Sequence, residues 1–196
     1  MNRLRVNRLG VDSCRIRNVP LILCESAKAV KRTLPYLAKL SGSESIEPKH
    51  ILVALCIWQP EMVGDIFRGI KLETLSKRLL GMEVNPTEIQ RLVDMQKYPP
   101  TRFWGPQVYS IFTMAERTAH LVSYEQEGCA VLLFSLFRQC YRDDKRGDLN
   151  GWQEIKKLMQ DHEVTAEAVQ QRFFETNVLK HQEPAPVGKS YGLVIN

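Results

Sequence analysis

The sequence predicts an all-α fold: two four-helix repeats packed with pseudo-twofold symmetry, eight helices in all. Three observations predict it. Two stretches say nearly the same thing: LCESAKAVKRTLPYLAKL followed by SIEPKHILVAL, and WGPQVYSIFTMAERTAHLV followed by EQEGCAVLLFSL. Laid over each other without a gap, Ala27 meets Val108, Val30 meets Ile111, Leu34 meets Ala115 and Ala38 meets Ala119. Further on Ile51 meets Leu132, Leu52 meets Leu133 and Leu55 meets Leu136, all at one offset (108 − 27 = 81). A period this long marks a duplicated supersecondary unit. The second observation is the helical spacing of Leu23, Ala27, Val30, Leu34 and Leu37, steps of three and four that share one face. The third is the nearly continuous apolar run Ile51–Trp58, which marks a helix enclosed by others.

The elements follow in order. A helix starts near Leu21 and closes at Ser41-Gly42-Ser43, with Pro35 expected to kink it or end it early, because proline has no N–H to donate. Pro48 suits the first turn of the second helix, and Pro60 ends it. Met62–Arg68 makes a third short helix and Leu72–Leu80 a fourth, stopped by Gly81. Between the copies, 82–102 carries Pro86, Pro99 and Pro100, with a helix expected at Thr87–Met95. The second copy repeats the scheme with helices at Pro106–Val122, Gly128–Cys140, Trp152–Gln160 and Thr165–Glu175. A charged stretch between Tyr141 and Gly151, RDDKRGDLNG, reads as an insertion absent from the first copy. The expected division is a basic leader over 1–18 and a double helical domain over 19–176. Within that domain lie repeat one at 19–81, a linker at 82–102 and repeat two at 103–176. A flexible tail over 177–196 follows.

Composition narrows the function classes. The chain has 196 residues and can bury a real core. No stretch approaches the roughly 20 apolar residues that cross a bilayer. Five cysteines, odd in number and without a CxxC pair, indicate neither a disulfide framework nor a zinc site, and a reducing compartment follows. The net charge of +5 is concentrated in the leader, where Arg3, Arg5, Arg8, Arg15 and Arg17 face one acid, Asp12. A flexible leader, an organelle transit peptide and a nucleic-acid-binding arm are its three readings, in that order. Cytoplasmic location is expected, or an organelle stroma or matrix if the leader is a transit peptide.

Catalytic chemistry is thin. His50, His120, His162 and His181 make no HExxH or other ligand spacing, and His50, at the head of the buried helix, is expected to satisfy a backbone group or a nearby loop. Glu116 and Glu127 read as surface charge. Gly188-Lys189-Ser190 resembles the end of a phosphate loop but lacks the earlier glycine, since Glu183 stands there. Trp58, Phe67, Trp104, Phe112, Phe134, Phe137, Phe173 and Phe174 are expected in the core. No catalytic residue, metal site or cofactor is expected.

The duplicated unit resembles the amino-terminal (Clp N) repeat domain of Clp-type AAA+ unfoldases. There each repeat carries an F-T-x-x-A helix followed by G-T-E-H-I-L-L-G-L. Copy one keeps His50-Ile51-Leu52 and Leu55; copy two keeps Gly128, Leu132, Leu133 and Leu136. A later family segment looks like Ile70-Lys71-Leu72-Glu73 and Val164-Thr165-Ala166-Glu167. The resemblance spans about Leu21 to Glu175, in a stand-alone form without the ATPase modules. It implies a non-enzymatic interaction module that binds adaptors, substrates or subunits of a Clp ATPase/protease machine. In some members a glutamate of G-T-E-H helps bind phosphorylated arginine; Lys49 and Ala130 stand at those positions, so that activity is not carried over. The alternatives are a helical nucleic-acid-associated regulator using the basic leader and an accessory domain of a secretion-system disaggregase. A diverged helical enzyme ranks last. Partner contact is expected at Lys49, His50, Arg142, Asp143, Asp144, Lys145 and Arg146.

Overall fold

The computed structural model describes residues 22–23, 25–95, 103–121, 126–147, 151–165, 167–169 and 171. Four of its helices open on proline, whose missing N–H costs nothing in a first turn: α2 (Pro48–Trp58), α3 (Pro60–Ile66), α5 (Pro86–Asp94) and α6 (Pro106–Leu121). Asn85 caps α5 by accepting hydrogen bonds from the N–H groups of Thr87 at 3.0 Å and Glu88 at 3.3 Å. The remaining helices are α1 (Glu25–Leu40), α4 (Leu72–Leu80), α7 (Cys129–Lys145) and α8 (Gln153–Asp161), and residues 167–169 and 171 are also helical. Gly81 ends α4 in the left-handed region, at φ 71°, as glycine does readily.

The duplication is in the backbone. The start of α1 recurs 81 residues later at the start of α6 (106 − 25 = 81), α2 recurs at α7, α4 at α8, and α5 at the helical turn from 167. Four two-residue strands keep the same offset: β1 (Ile22–Leu23), β2 (Ser45–Ile46), β3 (Phe103–Trp104) and β4 (Gln126–Glu127). β1 pairs in parallel with β4, Ile22 opposite Gln126, and β2 pairs in parallel with β3, Ser45 opposite Phe103. Exchanging the two repeats converts one ladder into the other, as an approximate twofold axis requires. Each ladder therefore ties the repeats together.

The repeats also share a core. α1 packs on α7, α6 on α2, and α2 on α7. Ala27 and Val108, Val30 and Ile111, Leu34 and Ala115, Ile51 and Leu132, and Leu55 and Leu136 are all fully buried. Each of these pairs is shielded in both copies, and α2 is buried from Pro48 to Ile57 except at Lys49. Among the described residues, no helix is long and apolar enough to cross a membrane.

Several expectations need correcting. Pro35 does not end α1, which runs five residues beyond it. Tyr36, Leu37 and Ala38 are buried after the proline, and their packing outweighs the one lost backbone bond. The stretch between Tyr141 and Gly151 is no insertion, because α8 still lies 81 residues after α4 (153 − 72 = 81). Pro60, which starts α3 as a separate helix, corresponds to Tyr141 (60 + 81 = 141); without a proline there, α7 continues to Lys145 instead of stopping at Cys140. α3 therefore has no separate counterpart. Accordingly α5, not α4, is the first-repeat equivalent of the turn from 167. The segments Ile70–Glu73 and Val164–Glu167 are not equivalent in this register either; the former leads into α4 and the latter into the helical turn after α8.

The far ends of α3 and α8 meet. Arg68 and Glu163, each at φ 53°, are the two non-glycine residues in the left-handed region among those described, and they form an ion pair at 2.8 Å. Phe67 packs beside His162 and Phe137 beneath them. The basic leader, the tail, His181, Phe173, Phe174 and Gly188-Lys189-Ser190 lie outside the described residues.

Candidate functional site

The face carrying the unusual chemistry is where β3 and the first half of α6 lie beside α1. Large apolar side chains that ought to be inside are outside here. Phe103 is 82% exposed, Tyr109 71% and Trp104 38%. Trp104 and Phe112 pack edge to face at 5.3 Å between ring centres. The Lys31 ammonium of α1 lies over both rings, 5.6 Å from the Trp104 centre and 5.9 Å from that of Phe112. Lys31 and Phe112 are equivalent residues of the two repeats (112 − 31 = 81), so their contact marks the place where the pseudo-twofold axis reaches the surface.

The local backbone fixes this arrangement. Tyr109 and Phe112 are three residues apart and share a helix face. Trp104 is held because β3 pairs with β2, and the N–H of the following Gly105 donates to the Ile46 carbonyl at 3.0 Å. A Cβ on Gly105 would meet that carbonyl oxygen at 2.8 Å. Gly105→Ala must therefore push the strands apart, with an expected cost of about 1–3 kcal/mol. Urea unfolding measures it; a variant as stable as the parent would show that the close approach is unnecessary.

The residues expected to contact partners are divided by the structure. His50 is fully buried. Its Nδ1 accepts the Glu47 N–H at 2.8 Å and its Nε2 lies 3.0 Å from the Ser41 hydroxyl, so it satisfies a backbone group and a neighbouring loop as expected. Burial pulls its pKa down to about 4, only partly offset by the Glu47 carboxylate. Lys49 pairs with Glu47 at 3.0 Å. Asp143 is buried and internal, accepting from Gln139 and Trp152. Asp144 pairs with Lys156. Arg142, Lys145 and Arg146 are exposed, and the Lys145 ammonium lies 4.6 Å from the Tyr141 ring centre. The buried members of the two groups, His50 and Asp143, present nothing to a partner.

Sequence reasoning missed Phe103 and Tyr109, and it put Trp104 and Phe112 in the core. Phe67, Phe134 and Phe137 are buried, but Phe112 is half-buried at the surface. The signal was in the repeat: Tyr109 aligns with Lys28 and Phe112 with Lys31, positions that are cationic in the first copy. Aromatic residues where the sister helix meets water are surface aromatics.

Reactive chemistry is scarce elsewhere. Burial pushes the Cys56 thiol up to about 11. It pushes Cys140 up to about 12, with Asp144 and Asp143 adding to the effect. Both thiols are poor nucleophiles at neutral pH. Among the described residues, no three His, Cys, Asp or Glu side chains are grouped to hold a metal ion.

No family model matches the chain, and no curated protein matches it. Among the solved structures similar to it are two at low identity. One is the Hsp104 N-terminal domain from Candida albicans, with 16% identity, 79% of this chain and 91% of that one covered, and a TM-score of 0.47. The other comes from preliminary structural investigations of a malarial protein secretion system, with 16% identity, 80% of this chain and 97% of that one covered, and a TM-score of 0.46.

Proposed function

We propose that the chain is a non-enzymatic protein-interaction module of the Clp N type, engaging adaptors, clients or subunits of a Clp ATPase/protease machine. One observation carries the interaction reading: Phe103, Trp104 and Tyr109, close together along β3 and the start of α6, are all exposed. Aromatic residues dominate binding energy where proteins meet, and a monomer gains nothing by exposing them together. The Clp assignment is supported by the motif resemblance of the two copies.

The test is crosslinking at native expression with a photoreactive residue in place of Tyr109. The expected product is a Clp ATPase or protease subunit joined to the chain, lost when Trp104→Ala is added. Repeated recovery of no Clp component, or recovery indifferent to Trp104→Ala, would count decisively against the proposal.

A further inference from the structure

We infer that the aromatic face selects a peptide segment bearing carboxylates beside large apolar side chains, and that Lys31 sets this preference; the inference rests on the interaction reading above. Charge is the first argument. α1 carries Lys28, Lys31, Arg32 and Lys39 against a single acid, Glu25. Lys28 already pairs with Glu25 at 2.6 Å, and Lys28 and Arg32 together hold that carboxyl below the usual range. Lys31 is exposed, and no carboxylate among the described residues pairs with it. Its contacts are two rings, and its ammonium carries three N–H donors on an exposed side chain.

The position of the charge is the second argument. Lys31 lies over the Trp104 and Phe112 rings, so a ligand covering those rings must also strip water from the ammonium. An uncharged apolar segment gives nothing back for that loss, and a basic one is repelled. A carboxylate next to a Leu or Phe compensates the ammonium while its neighbour covers a ring. Single-stranded nucleic acid fits less well. Its bases need open ring faces, whereas Trp104 and Phe112 are packed on each other with Lys31 lying over both. The two copies have diverged here into one composite site, cation from the first and ring from the second.

Fluorescence anisotropy on the full chain tests this. The probes are a labelled peptide mixing Glu and Asp with Leu and Phe, the same peptide with Gln and Asn for the acids, a third with Lys, and a single-stranded oligonucleotide. The acidic peptide is expected to bind about fivefold or more tightly than the amide peptide. Lys31→Glu should abolish that advantage and raise affinity for the Lys peptide. Equal binding of acidic and amide peptides, or acidic binding untouched by Lys31→Glu, overturns the acid preference and leaves the interaction reading standing. Tighter binding of the oligonucleotide, or of no peptide at all, also overturns it. So does a two-chain sedimentation mass that Phe103→Ser returns to one, since the face is then filled by a second copy. The interaction reading itself fails only by the crosslinking experiment.

Discussion

Trp152→Ala is expected to destabilise the protein by about 3–5 kcal/mol, the range for removing a large aromatic side chain from a close-packed core. Trp152 is fully buried and stands first among the large enclosed side chains. It also has a polar task. Its indole N–H donates to Asp143 at 3.0 Å, and Gln139 donates to both oxygens of the same carboxylate at 2.8 and 2.9 Å. Asp143 is buried, so its charge is held in place chiefly by these two neutral donors; the Arg142 Nε is 3.9 Å away. The alanine variant thus opens a cavity and removes a donor from a buried anion.

The two losses can be separated. Trp152→Phe keeps most of the ring and removes the N–H, and should cost about 1–3 kcal/mol. Both values come from urea midpoints at unchanged m. The consequence is local before it is global, because Trp152 sits at the start of α8. Without it α8 still has Ile155 and Leu158 in the core, beside two surface ion pairs, Arg78 with Asp161 and Lys156 with Asp144. Such pairs are worth little each. An alanine variant losing less than about 1 kcal/mol would show that α8 is anchored elsewhere.

The fold was legible because duplication writes every helix twice. One offset places α1 on α6, α2 on α7 and α4 on α8, and matched apolar residues are buried in both copies. The misreadings arose where one copy had changed a single residue. Pro60 splits the first copy's helix and Tyr141 leaves the second intact, so a continuous register looked like an inserted loop. Pro35 misled for the opposite reason. Local propensity argued for a break, but Tyr36, Leu37 and Ala38 had a core to enter.

The candidate site was far less legible. Charge and loop position pointed to Lys49, His50 and the end of α7, and two of those side chains, His50 and Asp143, are already employed inside the protein. Exposure is a property of three-dimensional packing, and Phe112 on a helix with an apolar face looks like core when read alone. Only comparison with Lys31, its equivalent, betrays it. The four two-residue strands were beyond reach too, since they exist by pairing between repeats and have no periodicity of their own.

Acidification from neutral pH to about 4 is expected to cost the fold about 3 kcal/mol through His50 alone. The Glu47 N–H can only donate, so the Nδ1 it meets is unprotonated and the ring proton sits on Nε2, facing the Ser41 hydroxyl. A second proton would set two N–H groups against each other at the head of the buried helix α2. The native ring therefore stays neutral down to about pH 4, while the unfolded ring takes up its proton near 6.5. Between those values the unfolded state binds more protons, so stability falls as pH falls, and below about 4 the loss is complete. His50→Gln separates this from the carboxylates. A glutamine at this helix position can accept the same N–H and does not titrate. The difference in urea stability between neutral pH and about 4 should shrink by most of that amount in the variant, whatever its stability at neutral pH. An unchanged difference would place the acid sensitivity on other groups and free His50 of this role.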